Sequence, residues 1–315
     1  MAKQLAVYVA RFAVTLLAAS VAVFLVLRLI PGDPAQIALG VNATPELLAQ
    51  TRAAMGTDRP LVVQYADWVL ALPAGDFGTS FVTGQDLSPL ILDRVQVSLI
   101  LVGLAMLVAL LVAVPLGTIA AVRHRTLGGV LLSGLSQVGV AVPSFLAGIL
   151  LVAVFAVRLG WFPANGWTAP AVDLGDFLAR VTLPVLALAS VQGAVLTRYV
   201  RSAVLEVMGE DYLRTARAKG LSQTRALVRH GLRNAAIPVL TVSGLQLAAL
   251  VIGAVVIERV FVIPGLGSML LDAVGNRDLI AVQGVVMVLV TIVLTVNLVV
   301  DVLYTVLDPR IRKAA

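Results

Sequence analysis

Residues that could do acid–base or metal chemistry are few in this 315-residue chain. It has no cysteine, and its two histidines, His124 and His230, stand beside basic residues rather than in the His-Glu-x-x-His spacing of a zinc site. The chain also lacks a Gly-x-x-x-x-Gly-Lys-Ser/Thr phosphate loop. An enzyme needs a nucleophile with its base, a metal cluster or a pair of carboxylates. The sequence therefore predicts no catalytic site, no metal site and no cofactor bound by this chain.

The pattern that does carry chemistry is a concentration of positive charge within an apolar chain. The segment Asp211-Tyr-Leu-Arg-Thr-Ala-Arg-Ala-Lys-Gly-Leu221 combines cations with small and apolar residues in the arrangement of an amphipathic helix. Gly220 is expected to take a positive φ that ends this helix, and Leu221 is expected to close the cap. The segment therefore predicts a basic helix followed by a tight turn.

A second basic helix is predicted after the turn. Arg225, Arg229 and Arg233 recur every four residues and would share one face. Residues 206–233 together predict a helix–turn–helix lying on the membrane surface. Two interpretations of it stay open on physical grounds, a basic helix resting on lipid or a docking site for a soluble partner.

The composition places these elements in a membrane protein. Hydrophobic residues make up 60% of the chain and charged residues only 13%, and the mean hydropathy is +1.01, whereas soluble domains carry about 25% charged residues. The net charge of +6 does not indicate nucleic-acid binding, because the basic residues fall mostly in short loops beside apolar stretches. The fold class predicted is an all-α integral membrane protein in a lipid bilayer.

Six stretches are apolar enough to cross a hydrocarbon core about 30 Å thick, which takes roughly 20 helical residues, although the fourth is short. They are Gln4–Ile30, Val95–Val122, Leu127–Val157, Val181–Thr197, Ala235–Ile257 and Leu279–Val300. The first is too long for the apolar part of a signal peptide and is predicted to remain as an uncleaved helix. Three prolines are candidate kinks or gating points in the third, fourth and fifth spans, namely Pro143, Pro184 and Pro238.

The charges predict the orientation of these spans. Most basic residues fall on one side: Lys3, Arg11, Arg123, Arg125, the block from Arg198 to Arg233, and the tail residues Arg310, Arg312 and Lys313. Most acidic residues fall on the other side. Because loops rich in Lys and Arg stay in the cytoplasm, both termini are predicted to be cytoplasmic.

The first outer loop, Pro31–Arg94, is long enough to hold ordered structure. Pro45-Glu-Leu-Leu48 and Tyr65-Ala-Asp-Trp-Val-Leu70 predict short amphipathic helices in it. The chain is thus predicted to have two parts. Residues 1–94 form the first span and the long loop, and residues 95–315 form a five-helix core that includes the basic segment.

Several stretches resemble one protein family. The basic segment from Asp211, followed by Arg229-His-Gly-Leu-Arg-Asn-Ala-Ala-Ile-Pro238, resembles the coupling segment of ABC-transporter permeases of the dipeptide/oligopeptide/nickel importer family. Further matches are Arg28-Leu-Ile-Pro-Gly-Asp-Pro34, Gly56-Thr-Asp-Arg-Pro-Leu61, Gly75-Asp-Phe-Gly-Thr-Ser80, Val142-Pro-Ser-Phe145 and Leu307-Asp-Pro-Arg310. The resemblance therefore extends over nearly the whole chain.

This resemblance implies a type I ABC importer permease in a bacterial inner membrane, of the B type because of the long first outer loop. It implies a second homologous permease, two ATPase subunits or one fused pair, and an extracytoplasmic solute-binding protein as partners. ATP and Mg²⁺ would then be bound by the ATPase subunits. The residues implied in ATPase coupling are Asp211, Arg214, Thr215, Ala216, Arg217, Gly220 and Leu221.

One departure from the general permease pattern limits this transfer. The general motif reads Glu-Ala-Ala-x-x-x-Gly, whereas Arg214, Thr215 and Ala216 precede Gly220 here. A docking contact based on glutamate is therefore not carried over to this chain.

Other functions stay open at this stage. A self-contained secondary carrier would favour inverted repeats and broken helices at matched positions, but the sequences around Pro143 and Pro184 do not match and no repeat is visible. A membrane-bound receptor or structural subunit is a third class. Among importers, di- or oligopeptides are the first expectation and nickel, a metallophore or another small solute the alternative, since no residue can be assigned to substrate binding.

Overall fold

The computed structural model describes residues 2–29, 32–40 and 43–307. The described chain is helical and contains no strand, only an isolated antiparallel bridge between Thr79 and Asp86. This confirms the predicted all-α class. The predicted boundaries at Ile30 and Pro31 lie outside the described residues, as does the predicted C-terminal tail with Arg310, Arg312 and Lys313.

The helices follow one another with short connections. In chain order they are α1 (Ala2–Leu29), α2 (Pro34–Leu39), α3 (Pro45–Met55), α4 (Leu61–Ala71), α5 (Leu87–Val122), α6 (Leu127–Ala141), α7 (Ser144–Leu151), α8 (Leu174–Met208), α9 (Asp211–Ala218), α10 (Gln223–Ala226), α11 (Leu232–Val260), α12 (Leu266–Gly275) and α13 (Leu279–Leu307). The segments Val152–Arg158 and Leu227–Gly231 are π-helical and continue α7 and α10 without a break.

In the described part of the chain, five helices are long and apolar enough to cross a membrane, and a bent pair makes a sixth span if it counts as one. The five are Gln4–Leu29, Leu87–Val122, Leu174–Met208, Gln223–Val260 and Leu279–Leu303. Each overlaps one of the predicted spans. The remaining predicted span, the third, is the bent pair.

The third span is broken at Pro143 rather than kinked. Its two arms, Leu127–Ala141 and Ser144–Arg158, meet at 99°. Val142 (φ −85°, ψ 121°) and Pro143 (φ −62°, ψ 140°) are both extended, because a proline disfavours helical geometry in the residue before it. An arm of this length reaches roughly 22 Å at 1.5 Å per residue, which is less than a bilayer core.

The fourth span was predicted to be short, and that prediction is wrong. Helix α8 has 35 residues, from Leu174 to Met208. Apolar patterning stops at charged residues such as Arg180 and Arg198, but charge does not end a helix. Its start is set by Asp173, whose carboxylate accepts a hydrogen bond from the Asp176 amide at 3.0 Å.

The fifth span also begins earlier than predicted. The helix runs without interruption from Gln223 to Val260, so the predicted separate second basic helix is instead the first part of this span. The first turns of this helix carry arginines, so a search for apolar stretches does not include them. Pro238 lies inside α11, as Pro184 lies inside α8, and both helices continue through their proline.

The loops predicted to be on the outer side contain more structure than the sequence indicated. The two predicted amphipathic helices are confirmed as α3 and α4. Helix α12, which lies between the fifth and sixth predicted spans, was not predicted. Its first amide, Leu266 N, donates to Ser98 Oγ at 2.9 Å, which satisfies one of the free donors at a helix start.

Two compact units make up the described chain, and neither is continuous in sequence. One contains Ala2–Ser98 with Pro264–Thr295, and the other contains Leu99–Ile263 with the end of α13 from Val296. The predicted division into residues 1–94 and 95–315 stays a prediction about functional organisation.

The unit that contains the first helix has its own apolar core. It joins α1, α5, α12 and α13 through Leu27, Leu87, Ile91, Leu266, Ala273, Ala281, Val282 and Val285. The Ser80 hydroxyl donates to the Asp278 carboxylate, which also accepts from the Ala281 amide at 3.3 Å. Asp278 therefore ties the loop before α5 to the start of α13.

In the other unit, α8 is the central helix and packs against α6, α7 and α11. Glycines allow close approach at several crossings. A Cβ built on Gly117 of α5 would lie 2.7 Å from both Thr197 O and Val200 Cβ of α8. Small residues at such crossings are how membrane helices pack closely without a hydrophobic driving force.

We expect Gly117→Ala to destabilise the chain, because the backbone carbonyl and the β-branched side chain it meets cannot move aside easily. The cost should be about 1–3 kcal/mol, as for other overpacked sites. The matched control is Gly103→Ala in the same helix, where nothing lies within 4 Å of the new Cβ. Thermal unfolding in detergent should show a lower midpoint for Gly117→Ala only; equal midpoints would mean that α5 and α8 do not cross closely at Gly117.

Candidate functional site

The basic segment begins where α8 turns into α9. Only Gly209 and Glu210 separate the two helices. Their amides donate to Glu206 O at 3.0 Å and Val207 O at 3.1 Å, and Gly209 keeps an ordinary negative φ of −79°. Because these bonds close the turn directly onto the last residues of α8, the direction of α9 is fixed by the end of α8.

One apolar side chain holds α9 in place. Leu213 is only 4% exposed and packs into a cluster of residues from α8, α10, α11 and the end of α5. That cluster comprises Ala121, Val200, Ala203, Val204, Val207, Ala226, Leu227, Ala235 and Val239, with Ala216 and Leu221 packed against its edge. Burial of a leucine side chain contributes about 1.5–3 kcal/mol, enough to hold a two-turn helix that would not be stable alone.

Two further contacts join α9 to the helix that follows. The Asn234 side chain donates to the Tyr212 hydroxyl at 2.9 Å. A Cβ on Gly231 would lie 3.3 Å from Leu213 Cδ1 and 3.0 Å from Val207 Cγ1, so a glycine at this position is what lets these side chains close together. Gly231 ends the π-helical segment that continues into α11.

The turn after α9 has the geometry predicted for it. Gly220 has φ +94°, its amide donates to Arg217 O at 2.9 Å, and the Leu221 amide donates to Ala216 O at 3.3 Å. These two bonds form a Schellman cap. The prediction for Gly220 and Leu221 is therefore confirmed.

The next helix starts at once after this cap. The Ser222 hydroxyl accepts from the Arg225 amide at 3.4 Å, so Ser222 is the N-cap of α10. The chain therefore leaves α9 and enters the helix of the fifth span through a turn whose two ends are both capped. We call residues 209–222 the elbow.

The outward side of the elbow carries the charge. Asp211 and Arg214 form an ion pair of 3.3 Å, but both are largely exposed, so it contributes little. The Thr215 hydroxyl donates to Asp211 O at 3.0 Å. Arg217 and Lys219 of the elbow are exposed cations that form no ion pair with the described residues, and the helix that follows adds Arg225, Arg229 and Arg233.

The structure divides the predicted coupling residues into two groups. Ala216 and Leu221 face the apolar cluster, whereas Asp211, Arg214, Thr215 and Arg217 are exposed and Gly220 forms the turn between helices. The predicted prolines lie elsewhere, Pro143 at the break between α6 and α7, Pro184 within α8 and Pro238 within α11.

Sequence reasoning missed four residues of this site. Ser222 had a usable signal, since a serine before a helix is a common N-cap. No sequence signal indicated the hydrogen bond between Tyr212 and Asn234 or the close contact at Gly231. Both depend on how two helices pack against each other.

The elbow joins a charged, accessible side to an apolar side that is packed against the protein. Within the described ranges no three His, Asp or Glu side chains form a group that could hold a metal ion. The apolar side of α9 packs against other residues of the chain. It is therefore not available to insert into lipid, as the apolar face of an interfacial helix would. What remains accessible is a rigid, positively charged surface.

Comparison with known proteins agrees with these features. The family model described as binding-protein-dependent transport system inner membrane component matches residues 113–313, and the N-terminal model of such membrane components matches residues 1–102. A solved structure of an amino acid ABC transporter with histidines shares the fold, with a TM-score of 0.52 and 17% identity, covering 69% of this chain and 94% of that one.

Curated relatives match over almost the full length. A Brucella abortus protein named for a peptide transport system permease is 42% identical over 299 residues, covering 94% of this chain and 95% of the relative. The glutathione transport system permease protein GsiC of Salmonella typhimurium is 40% identical over 298 residues, covering 95% of each chain. This chain therefore belongs to the family of binding-protein-dependent transport system inner membrane components.

Proposed function

We propose that this permease forms half of the translocation path of an ATP-driven importer of di- or oligopeptides, and that the elbow is its coupling element. The observation that carries the coupling role is the division of the elbow into a buried apolar side and an exposed basic side. A surface of this kind suits a soluble partner with acidic side chains, because opposite charges steer and orient association.

The contacts that hold the elbow would couple movement of an ATPase subunit to movement of the membrane helices. Leu213 belongs to an apolar cluster that also contains residues of α8 and α11, so a push on α9 would be transmitted to both helices. The break at Pro143 is the proposed hinge in the helix pair beside them, and Pro184 and Pro238 are the weaker points within α8 and α11. Alternating access would then arise from movement of whole helices about such points.

The partners in this proposal are a second homologous permease, two ATPase subunits or one fused pair, and an extracytoplasmic solute-binding protein. ATP and Mg²⁺ belong to the ATPase subunits, and this chain does not hydrolyse ATP. Support comes from family membership, because a permease of this family works within a binding-protein-dependent system.

The peptide substrate is supported by the names of the relatives, which refer to peptide and glutathione transport. The test is reconstitution of the complex with its binding protein, followed by uptake of a labelled dipeptide, a labelled tetrapeptide and Ni²⁺. ATP-dependent uptake of a peptide is the expected result. Uptake of Ni²⁺ alone would move the assignment to a metal importer.

We expect both termini and the elbow to be cytoplasmic. Because the chain has no cysteine, single cysteines can be placed at Thr83, Ala169 and Ser222, all of which are exposed. In intact cells an impermeant maleimide should label positions 83 and 169 but not 222, which should react only after permeabilisation. Labelling of position 222 from outside would reverse the proposed orientation.

Gly220→Val should uncouple transport from ATP hydrolysis. Nothing lies within 4 Å of a Cβ at this position, so the effect comes from φ alone, at a cost of about 1–2 kcal/mol for a β-branched residue. Substrate uptake and substrate-stimulated ATPase activity should both fall, with membrane insertion unchanged. Gly220→Asn is the matched control, since asparagine tolerates positive φ and should keep most activity.

Arg217→Glu tests the charged side of the elbow separately. It reverses the charge of an exposed residue that is not part of the apolar cluster, so it should weaken ATPase association without unfolding the elbow. Co-purification of the ATPase and the salt dependence of its binding are the measurements. Normal association and normal uptake in both Gly220→Val and Arg217→Glu would rule out the elbow as the coupling element.

A further inference from the structure

Helix α4 (Leu61–Ala71) buries a polar side chain and exposes apolar ones, which is the opposite of a helix that faces water. Its buried polar residue is Gln64, whose side-chain nitrogen donates to Thr57 O at 3.2 Å and Arg59 O at 2.6 Å. The opposite side is apolar, with Val62 79% exposed and Leu70 75% exposed. On an amphipathic helix in water the exposed side is polar, so α4 requires an apolar environment outside.

The helix carries one charge, and that charge is neutralised. Asp67 accepts from Arg59 Nη1 at 2.6 Å in an ion pair. Arg59 precedes α4, and its side chain reaches along the helix to Asp67 in the second turn. The apolar side made by Val62, Val63 and Leu70 is therefore free of unpaired charge.

The contacts of α4 with α1 fix its depth. The Tyr65 hydroxyl is 2.9 Å from the Ser20 hydroxyl, and Trp68 stacks on Phe24 with ring centroids 6.1 Å apart. Ser20 and Phe24 belong to a helix that is apolar enough to span the bilayer. Helix α4 thus packs on a membrane-spanning segment, well before that segment ends at Leu29.

Arg28 marks the level of the headgroups beside this contact. Its guanidinium lies 5.1 Å from the centre of the Phe24 ring, and a cation near the end of a span extends to the membrane interface. Ser20 is four residues deeper than Phe24, or roughly 6 Å along a helix that rises 1.5 Å per residue. Interfacial helices lie about 5–10 Å into the boundary between headgroups and acyl chains, and the depth of the Tyr65–Ser20 contact falls in this range.

We propose that α4 is an interfacial membrane helix, embedded in the leaflet that surrounds the C-terminal end of α1. Its Val62, Val63 and Leu70 side chains contact lipid acyl chains. Helix α1 also exposes apolar side chains along this part of its length, among them Val21 and Leu25. The long first outer loop is thereby anchored to the membrane at its middle. This placement does not depend on the transported substrate or on the elbow.

The absence of cysteine allows a direct test in the whole complex, reconstituted in lipid vesicles. Single cysteines at Val62 and Leu70 are labelled with an environment-sensitive dye, and Ala54→Cys on α3 is the matched control because it is exposed and belongs to the same outer loop. Lipids that carry a nitroxide on the acyl chain, and aqueous iodide, serve as the two quenchers.

We expect acyl-chain nitroxide to quench the dye at positions 62 and 70 several-fold more strongly than at position 54, with the reverse order for iodide. Stronger iodide quenching at 62 and 70 would place α4 in water and overturn the proposal. Quenching by neither agent would mean that another subunit covers α4, which would also overturn it. The substitutions are on exposed positions, so the folded helix is retained in each variant.

Discussion

The hydrocarbon core of a bilayer offers no hydrogen-bonding partner to a peptide group, and most of this structure follows from that constraint. Every backbone amide and carbonyl at that depth must be satisfied within the chain, so the spans are continuous helices. Prolines are tolerated inside them at Pro115, Pro184 and Pro238. The exception is the break at Pro143, where two extended residues occur in succession and the chain changes direction.

The elbow shows how a short helix can be both firmly attached and available. Two turns of helix have little stability of their own, because helix formation is cooperative with a costly nucleus. Leu213, the Tyr212–Asn234 hydrogen bond and the capped ends supply the missing stability from tertiary contacts. The exposed side chains of Arg217 and Lys219 take no part in these contacts, so the attachment does not depend on them.

What could be predicted from sequence follows the range of the interactions involved. The conformation of Gly220 was predictable because a left-handed cap depends only on neighbouring residues. The spans were predictable because a run of apolar residues can be counted directly along the sequence. Helix ends were poorly predicted where arginines interrupt the apolar pattern, as in α8 and before α11. Helix α12 was missed because its start is stabilised by Ser98, which is distant in sequence. The close contact at Gly231 could not be predicted either, because it involves Val207 and Leu213, which lie on other helices.

Helix α8 is longer than the membrane is thick, and this has a mechanical consequence. Its 35 residues extend about 52 Å, some 20 Å more than the hydrocarbon core. One end starts at the Asp173 cap and the other continues through two residues into the elbow, so one continuous helix, with Pro184 inside it, connects the two faces of the bilayer. A tilt of about 5° around its midpoint would displace each end by roughly 2 Å in opposite directions, given a rise of 1.5 Å per residue. Events at one membrane surface can therefore register at the other without any change in local structure between them.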